Sequence, residues 1–341
     1  MMTPPTDVSE STVVITLRVM WGIDTREIAY APVGFGAHHW SVSDTDGARW
    51  FVTLHDHGAG TGAGGRALTL LAAFRAAADL EASGLPFVVG PRAACDRSVA
   101  VEAARHRWLS VTPWLDAPRL PEPSAQTAAQ LGAVVDALAR LHEATPLAVA
   151  AATDDLLLPE RERLDAALRR ADGADPADPG DLPPGGPYAI RARTALRDNA
   201  AAVRAALDDY DALAAEVRAS RGGWVVTHGE PHWRNVLDGP DGLHLVDWDT
   251  LLLAPPARDL LHVAGEASGP RADAVLAAYA ARTGRVVDPD ELRFQSLRWA
   301  LTEVALYVAW FAEPHADDED SATAWGGFTD SLSALASERG A

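Results

Sequence analysis

The chain has 341 residues, 48% apolar and 23% charged, with 48 acids, 29 basic side chains and a net charge of −19. So acidic a surface repels nucleic acid and anionic membrane and favours cationic partners. The single cysteine, Cys95, excludes an internal disulfide and a cysteine-based zinc site. No stretch is apolar enough to span a bilayer, and residues 1–10 lack the basic and apolar regions of a signal peptide. A soluble, cytoplasmic protein is the expectation. All 29 basic side chains are arginine, so no lysine can take part in its chemistry.

The first 115 residues read as strands with one helix. Ser11–Val19 is β-branched and suits a strand or an early helix. Ile28–Pro32, the run VGFGAHHWSV and the run ARWFVTLHD read as strands joined by tight turns. A glycine-rich stretch, Gly58–Gly65, precedes a helical run ending near Ala82. Leu85–Val89, Ser98–Val101 and Trp108–Thr112 read as further strands, giving a small mixed sheet. After Pro113 the pattern turns helical. Ala125–His142 is amphipathic. Residues 172–187, rich in Pro, Gly and Asp, read as a loop, and Arg191–Ser220 is a further helical run. A compact strand–loop–strand segment, WVVTHGEPHWRNVL and LHLVDWD, follows. Ala272–Arg282, Asp290–Trp310 and Trp325–Ser337 read as helices, with an acidic loop over His315–Asp320.

The segment 227–260 carries the chemistry. His228-Gly229-Glu230 is followed after four residues by Asn235, then by an apolar strand ending in Asp247. The pattern resembles a phosphotransferase signature, and phosphoryl transfer needs in-line positioning, a cation on the phosphates and a carboxylate near the acceptor hydroxyl. A loop offering a carboxylate and, five residues on, an amide oxygen can face both acceptor and metal. A second carboxylate from the next strand completes a hard-oxygen set suited to Mg²⁺.

This pattern resembles the signature of the aminoglycoside-phosphotransferase and kinase-like family, and the run DWDTLLLAPPARDL resembles its spectinomycin-phosphotransferase branch. At motif level the resemblance covers roughly residues 20–310. It implies an α+β, bilobal, protein-kinase-like fold. Residues 1–115 would be a small β-rich N-lobe, residues 112–116 a connector, and residues 116–341 a larger helical C-lobe. It further implies ATP or GTP with Mg²⁺ as cofactors. Glu230 takes the catalytic-base position, His228 orients the loop, and Asn235 and Asp247 are the metal ligands. Gly34 and Gly36 lie in a turn over the nucleotide phosphates, where small residues admit backbone N–H groups. Thr112–Leu115, with Trp114, would meet the nucleobase through backbone groups.

The chain departs from the family in two places. The lysine expected on the third strand is Thr53, and the helix glutamate that would pair with it is missing, the first acid there being Asp79. The catalytic-base aspartate is Glu230, one methylene longer. Arg66, at the start of the helix after the glycine-rich stretch, is a candidate for the missing positive charge.

Other patterns are weaker. Gly60-x-Gly62-x-x-Gly65 has the form of a dinucleotide fingerprint but lacks alternating βαβ units around it. His228-x-Glu230 begins like a zinc-deaminase motif, which a chain with one cysteine cannot complete. His55, His57 and His232 could ligate a metal or act as hydrogen-bonding scaffold. Trp248 reads as core, and Arg258 with Asp259 as a structural charged pair. Asp249 and the helix face bearing Glu303, Tyr307 and Trp310 are candidates for contact with a cationic acceptor.

The sequence thus points to a nucleotide-dependent O-phosphotransferase acting on a small hydroxylated molecule such as an antibiotic or specialised metabolite. The alternatives are a non-catalytic kinase-like protein that binds a ligand or partner, and a peptide Ser/Thr kinase of a biosynthetic pathway.

Overall fold

A computed structural model describes residues 1–34, 36–56, 63–171, 185–219 and 221–337. Phe35, His57, most of the glycine-rich stretch and most of the 172–187 loop lie outside the described residues. Two compact units form. One comprises Met1–Asp154 with Gly222–Val287, the other Asp155–Arg221 with Asp288–Ala341.

The first unit opens with α1 (Glu10–Thr16), capped by the Ser9 hydroxyl and prolonged by a π-helical turn, Leu17–Trp21. Its early helix resolves the ambiguity of Ser11–Val19. Five strands follow: β1 (Thr25–Tyr30), β2 (Ala37–Asp44), β3 (Arg49–Asp56), β4 (Val101–Ala104) and β5 (Arg107–Pro113). They pair in the order β1-β2-β3-β5-β4, antiparallel throughout, where the sequence suggested a mixed sheet. α2 (Ala63–Ala82) lies between β3 and β4 in the chain.

Strand alternation gives the sheet two different faces. Trp40, Val42, Val52, Leu54, Leu109 and Val111 share one face and pack with Val13, Leu17 and Trp21 of the first helix. Burying each such side chain contributes about 1.5–3 kcal/mol. His39, Thr53 and Ser110 are register partners on the other face, where they and His55 make a buried polar layer.

The same unit continues through α3 (Ala128–Glu143), started by a Thr127/Gln130 capping box. The short strands β6 (Val225–Thr227), β7 (Val236–Gly239), β8 (Gly242–Leu245) and β9 (Leu252–Ala254) follow later in the chain, pairing β6 with β9 and β7 with β8. Two segments flank the β7–β8 hairpin. Residues 118–120 bond β7, with an antiparallel bridge between Arg119 and Leu237, and residues 87–89 bond β8 at Leu245. Leu85–Val89, expected as a strand, contributes only this parallel bridge.

The second unit contains α4 (Arg161–Ala171), α5 (Ala189–Asp198) and α6 (Ala200–Ala219). α7 (Ala257–Ala264) and α8 (Pro270–Thr283) return to the first unit. α9 (Pro289–Ala312) and α10 (Glu319–Ser337) complete the second. The run expected over Arg191–Ser220 is thus two helices, and α10 starts six residues before Trp325, inside the segment expected as an acidic loop. Among the described residues no helix is long and apolar enough to cross a membrane.

Two buried histidines couple this interior to pH. Burial pushes His39 from 6.5 to about 3, with the nearby charges of the N-terminus, His38 and Arg119 adding to the effect. Burial pushes His228 from 6.5 to about 4. Both are neutral when folded, so on acidification the unfolded chain binds their protons first. Their contribution is complete above about pH 6.5 and falls as pH drops toward their folded values, by up to about 1.4 kcal/mol per pH unit each. Raised carboxyl groups at Glu81 and Glu303 act in the opposite sense, so a difference between chains is the diagnostic quantity. In urea unfolding between pH 7 and pH 5, His39→Gln should lose about 2 kcal/mol less than the wild-type chain. Equal losses would show that His39 is not held neutral.

Candidate active site

The loop between β6 and β7 is held from beneath by one carboxylate. Asp259, on the first turn of α7, is 0% exposed. Its oxygens accept the backbone N–H groups of His228 at 2.9 Å and Gly229 at 2.7 Å. His142 of α3 bonds the same carboxylate through Nε2 at 3.0 Å and reaches the Tyr279 hydroxyl of α8 through Nδ1 at 2.8 Å. Burial alone would raise the Asp259 carboxyl, but the His142 hydrogen bond, with the nearby charge of Arg258, outweighs it and holds it below the usual range.

Arg258, read with Asp259 as a charged pair, acts on that carboxylate through its charge and hydrogen-bonds elsewhere. Its guanidinium donates to the Thr227 hydroxyl and the Thr250 carbonyl, both at 2.9 Å. It packs so closely under Gly229 that a Cβ there would collide with it and with the Thr250 hydroxyl. Gly229 also has φ +104, so glycine is required twice over at this position.

His228 is neutral, and its neighbours fix its tautomer. Nδ1 accepts the Glu230 N–H at 3.3 Å, leaving Nε2–H to donate to the Val246 carbonyl at 2.9 Å. The ring lies 4.5 Å from that of Trp248, whose indole N–H bonds the Leu245 carbonyl. The imidazole therefore joins the loop to the end of β8, where Asp247 follows.

Asp247 has φ +70, a left-handed conformation that costs a non-glycine residue energy and is common where a site imposes it. Its backbone neighbour Val246 bonds the Asn235 carbonyl at 3.0 Å. The Asn235 side-chain NH₂ donates to the Glu230 carbonyl at 3.1 Å. This orientation leaves the amide oxygen as the group available to a cation. Loss of hydration raises the Asp247 carboxyl. The same cause, reinforced by the charges of Asp247 and Glu230, raises Asp249 well above its ordinary value. Asp247 and Glu230 thus lie near enough to Asp249 for their charges to be felt there. This donor set fits a hard divalent cation that takes one or two protein oxygens and its other ligands from phosphate and water. Among the described residues no cluster of three His, Cys, Asp or Glu could hold a metal unaided.

The buried polar face of the sheet belongs to the same unit. At the expected lysine position, the Thr53 hydroxyl bonds His39 Nδ1 at 3.1 Å. His39 stacks on Phe51, with ring centroids 5.0 Å apart. His55 bonds the Ser110 hydroxyl at 3.0 Å, and its other nitrogen lies 3.8 Å from Asp249. Sequence reasoning missed both pairs, as it missed the clamp at Asp259. The glycine turn has Gly34 at φ +75 and Gly36 at φ +98, and a Cβ on Gly34 would lie 3.6 Å from His39 Nε2. Arg66 is exposed on the first turn of α2.

At the connector, the Thr112 hydroxyl reaches the Phe51 carbonyl. The Trp114 N–H is committed to the Arg49 carbonyl at 3.0 Å, and its indole bonds Asp116. In the second unit, Glu303 hydrogen-bonds Tyr307, and burial raises both groups. Tyr307 is 9% exposed and packs on Gly327 and Phe328 of α10. Trp310 is partly buried on the same helix.

The chain matches the phosphotransferase enzyme family, APH, over residues 28–295. It is 30% identical over 223 residues to protein StrN of Streptomyces griseus, a match covering 63% of this chain and 62% of StrN. The crystal structure of spectinomycin phosphotransferase APH(9)-Ia, in complex with ADP and spectinomycin, superposes with a TM-score of 0.70 at 16% identity. That likeness covers 97% of this chain and 98% of the other. The amicoumacin kinase hAmiN, in complex with AMP-PNP and Ca²⁺, superposes with a TM-score of 0.56 at 12% identity, covering 97% and 94%. Identities this low speak to fold, which is kinase-like, with an antiparallel N-terminal sheet and a helical C-terminal region. The family match runs through the sheet, the loop that Asp259 holds and the strand before Asp247, and the chain belongs to the phosphotransferase enzyme family.

Proposed function

We propose that the protein transfers phosphate from ATP or GTP, with Mg²⁺, to a hydroxyl group of a small molecule such as an antibiotic or specialised metabolite. The observation that supports this reading is that the loop Asp259 clamps carries Glu230 and Asn235 and is hydrogen-bonded at His228 and Asn235 to Val246, next to Asp247. Spectinomycin phosphotransferase and amicoumacin kinase, whose folds this chain shares, are both captured with adenine nucleotides. The net charge of −19 favours a cationic acceptor.

In this reading the Asn235 amide oxygen and the Asp247 carboxylate hold the cation. Mg²⁺, when bound, neutralises phosphate charge and helps keep the transferring group in line. Glu230 accepts the hydroxyl proton or orients the hydroxyl, and its backbone is already fixed by His228. The turn at Gly34 and Gly36 covers the phosphates, with Thr53 and His39 beneath it and Arg66 as a source of positive charge. Residues 112–116 form the connector between a nucleotide-covering lobe, 1–115, and the remainder, 116–341. Since the Trp114 N–H is already bonded, base recognition falls to other backbone groups of 112–115. Asp249, Glu303, Tyr307 and Trp310 are proposed acceptor contacts. The resemblance to proteins named as phosphotransferases and kinases does not favour a non-catalytic chain.

Two experiments test this reading. In calorimetric titration, wild-type protein should bind ATP or GTP more tightly with Mg²⁺ present, and Asp247→Ala should lose that metal dependence. Nucleotide binding indifferent to Mg²⁺ in both proteins would remove Asp247 from a metal site. With an acceptor found by screening, Glu230→Gln should lower turnover by about 10²–10⁴ while leaving nucleotide affinity intact. Wild-type turnover in that variant would exclude Glu230 as the base.

A further inference from the structure

We propose that Arg119 binds the phosphate chain of the nucleotide, supplying from the segment after the connector the positive charge that the sheet lacks. This inference rests on the nucleotide-dependent reading above.

The sheet cannot supply that charge from the usual place. Thr53 stands at the lysine position, its partner His39 is neutral, and the chain contains no lysine. The acid cluster of Glu230, Asp247 and Asp249 adds negative charge close by. A nucleotide triphosphate entering such a site needs a cation besides the metal.

Backbone pairing fixes where Arg119 stands. Leu120 N–H bonds the Val236 carbonyl at 2.9 Å and Asp238 N–H bonds the Pro118 carbonyl at 2.8 Å, so Arg119 sits directly opposite Leu237. Paired residues in adjacent strands share a face, and Asn235, just before β7, continues the pairing with its carbonyl by accepting the Val246 N–H. Val236, Leu245 and Leu120 are buried on the opposite side. Arg119 therefore shares with Leu237 the less buried side of β7, two residues beyond Asn235, the proposed metal ligand.

Its charge acts in two directions. It bears on His39, beneath the glycine turn, and on His232, in the loop between Glu230 and Asn235. Those two histidines belong to the two walls between which the phosphates would lie. Arg119 is exposed and, among the described residues, forms no ion pair or hydrogen bond. A guanidinium so placed can take two phosphate oxygens at once.

The test is calorimetric titration of ATP and of adenosine, with Mg²⁺, into full-length wild-type, Arg119→Ala and Arg119→Lys proteins. Arg119→Ala should weaken ATP by roughly ten- to a hundredfold, the range for a hydrogen bond to a charged group. Adenosine, which has no phosphate, should bind all three proteins alike. Arg119→Lys should fall between, keeping the charge and losing the fork. Equal ATP affinity in Arg119→Ala and wild type would overturn the inference, as would an equal loss for ATP and adenosine. If the wild-type protein binds neither ATP nor GTP, the nucleotide reading itself fails and this inference falls with it.

Discussion

The backbone of the candidate catalytic loop depends on the Asp259 carboxylate. Fully buried, it would be costly without partners, and removing one partner of such a group typically costs several kcal/mol. Here it receives two backbone N–H groups of the loop and His142. Hydrogen bonds to a charged acceptor are about twice as strong as neutral ones. Because His142 also bonds Tyr279, the loop is tied through Asp259 to α3, α7 and α8 together. The order then passes outward. His228, fixed by the clamp and by burial, reaches the Val246 carbonyl and so positions the turn into Asp247. Asn235 closes the loop on the Glu230 carbonyl with its amide oxygen turned away. Glycine at 229 is what lets the chain pass over Arg258 on the way.

The electrostatics follow from this geometry. The charges of Asp247 and Glu230 disfavour the ionisation of Asp249, and the sheet offers hydrogen-bonded polar pairs. Thr53 and His39 satisfy each other, and His55 turns one nitrogen to Ser110 and the other towards Asp249. Such an arrangement favours cations that arrive with the ligand, or an arginine from a neighbouring segment, over a fixed lysine on the strand. The absence of lysine from the chain fits this, because a buried unpaired charge would be unfavourable.

Much of the site was legible in the sequence because its chemistry is local. Glu230, Asn235 and Asp247 lie within one strand–loop–strand segment, and its resemblance to the family signature suggested a carboxylate, an amide and a second carboxylate. The sheet was legible through alternation in β2 and β3, and the long helices through their period. What was not legible depends on distant partners. His142 lies 117 residues from Asp259, and Thr53 was read as a missing lysine with no sign of the histidine 14 residues before it. Arg258 and Asp259 are adjacent in sequence and opposite in charge, which suggested a pair, but consecutive helical side chains point in different directions. Leu85–Val89 has strand-like composition, yet its backbone finds a partner only at Leu245. β9 is three residues long, too short for a pattern to show.

The central claim is that Asp259 shapes the loop on which the metal and nucleotide site is built. The most direct measurement is the Mg²⁺-dependent ATP affinity of Asp259→Asn, at a temperature where circular dichroism shows the variant folded. An asparagine presents one acceptor oxygen and an NH₂ group, so it cannot receive both loop N–H groups and His142 as the carboxylate does. A weakening of about tenfold or more is expected, the scale of one lost charge-assisted hydrogen bond. Wild-type affinity in the folded variant would show that the loop keeps its shape without the clamp, and would contradict the account.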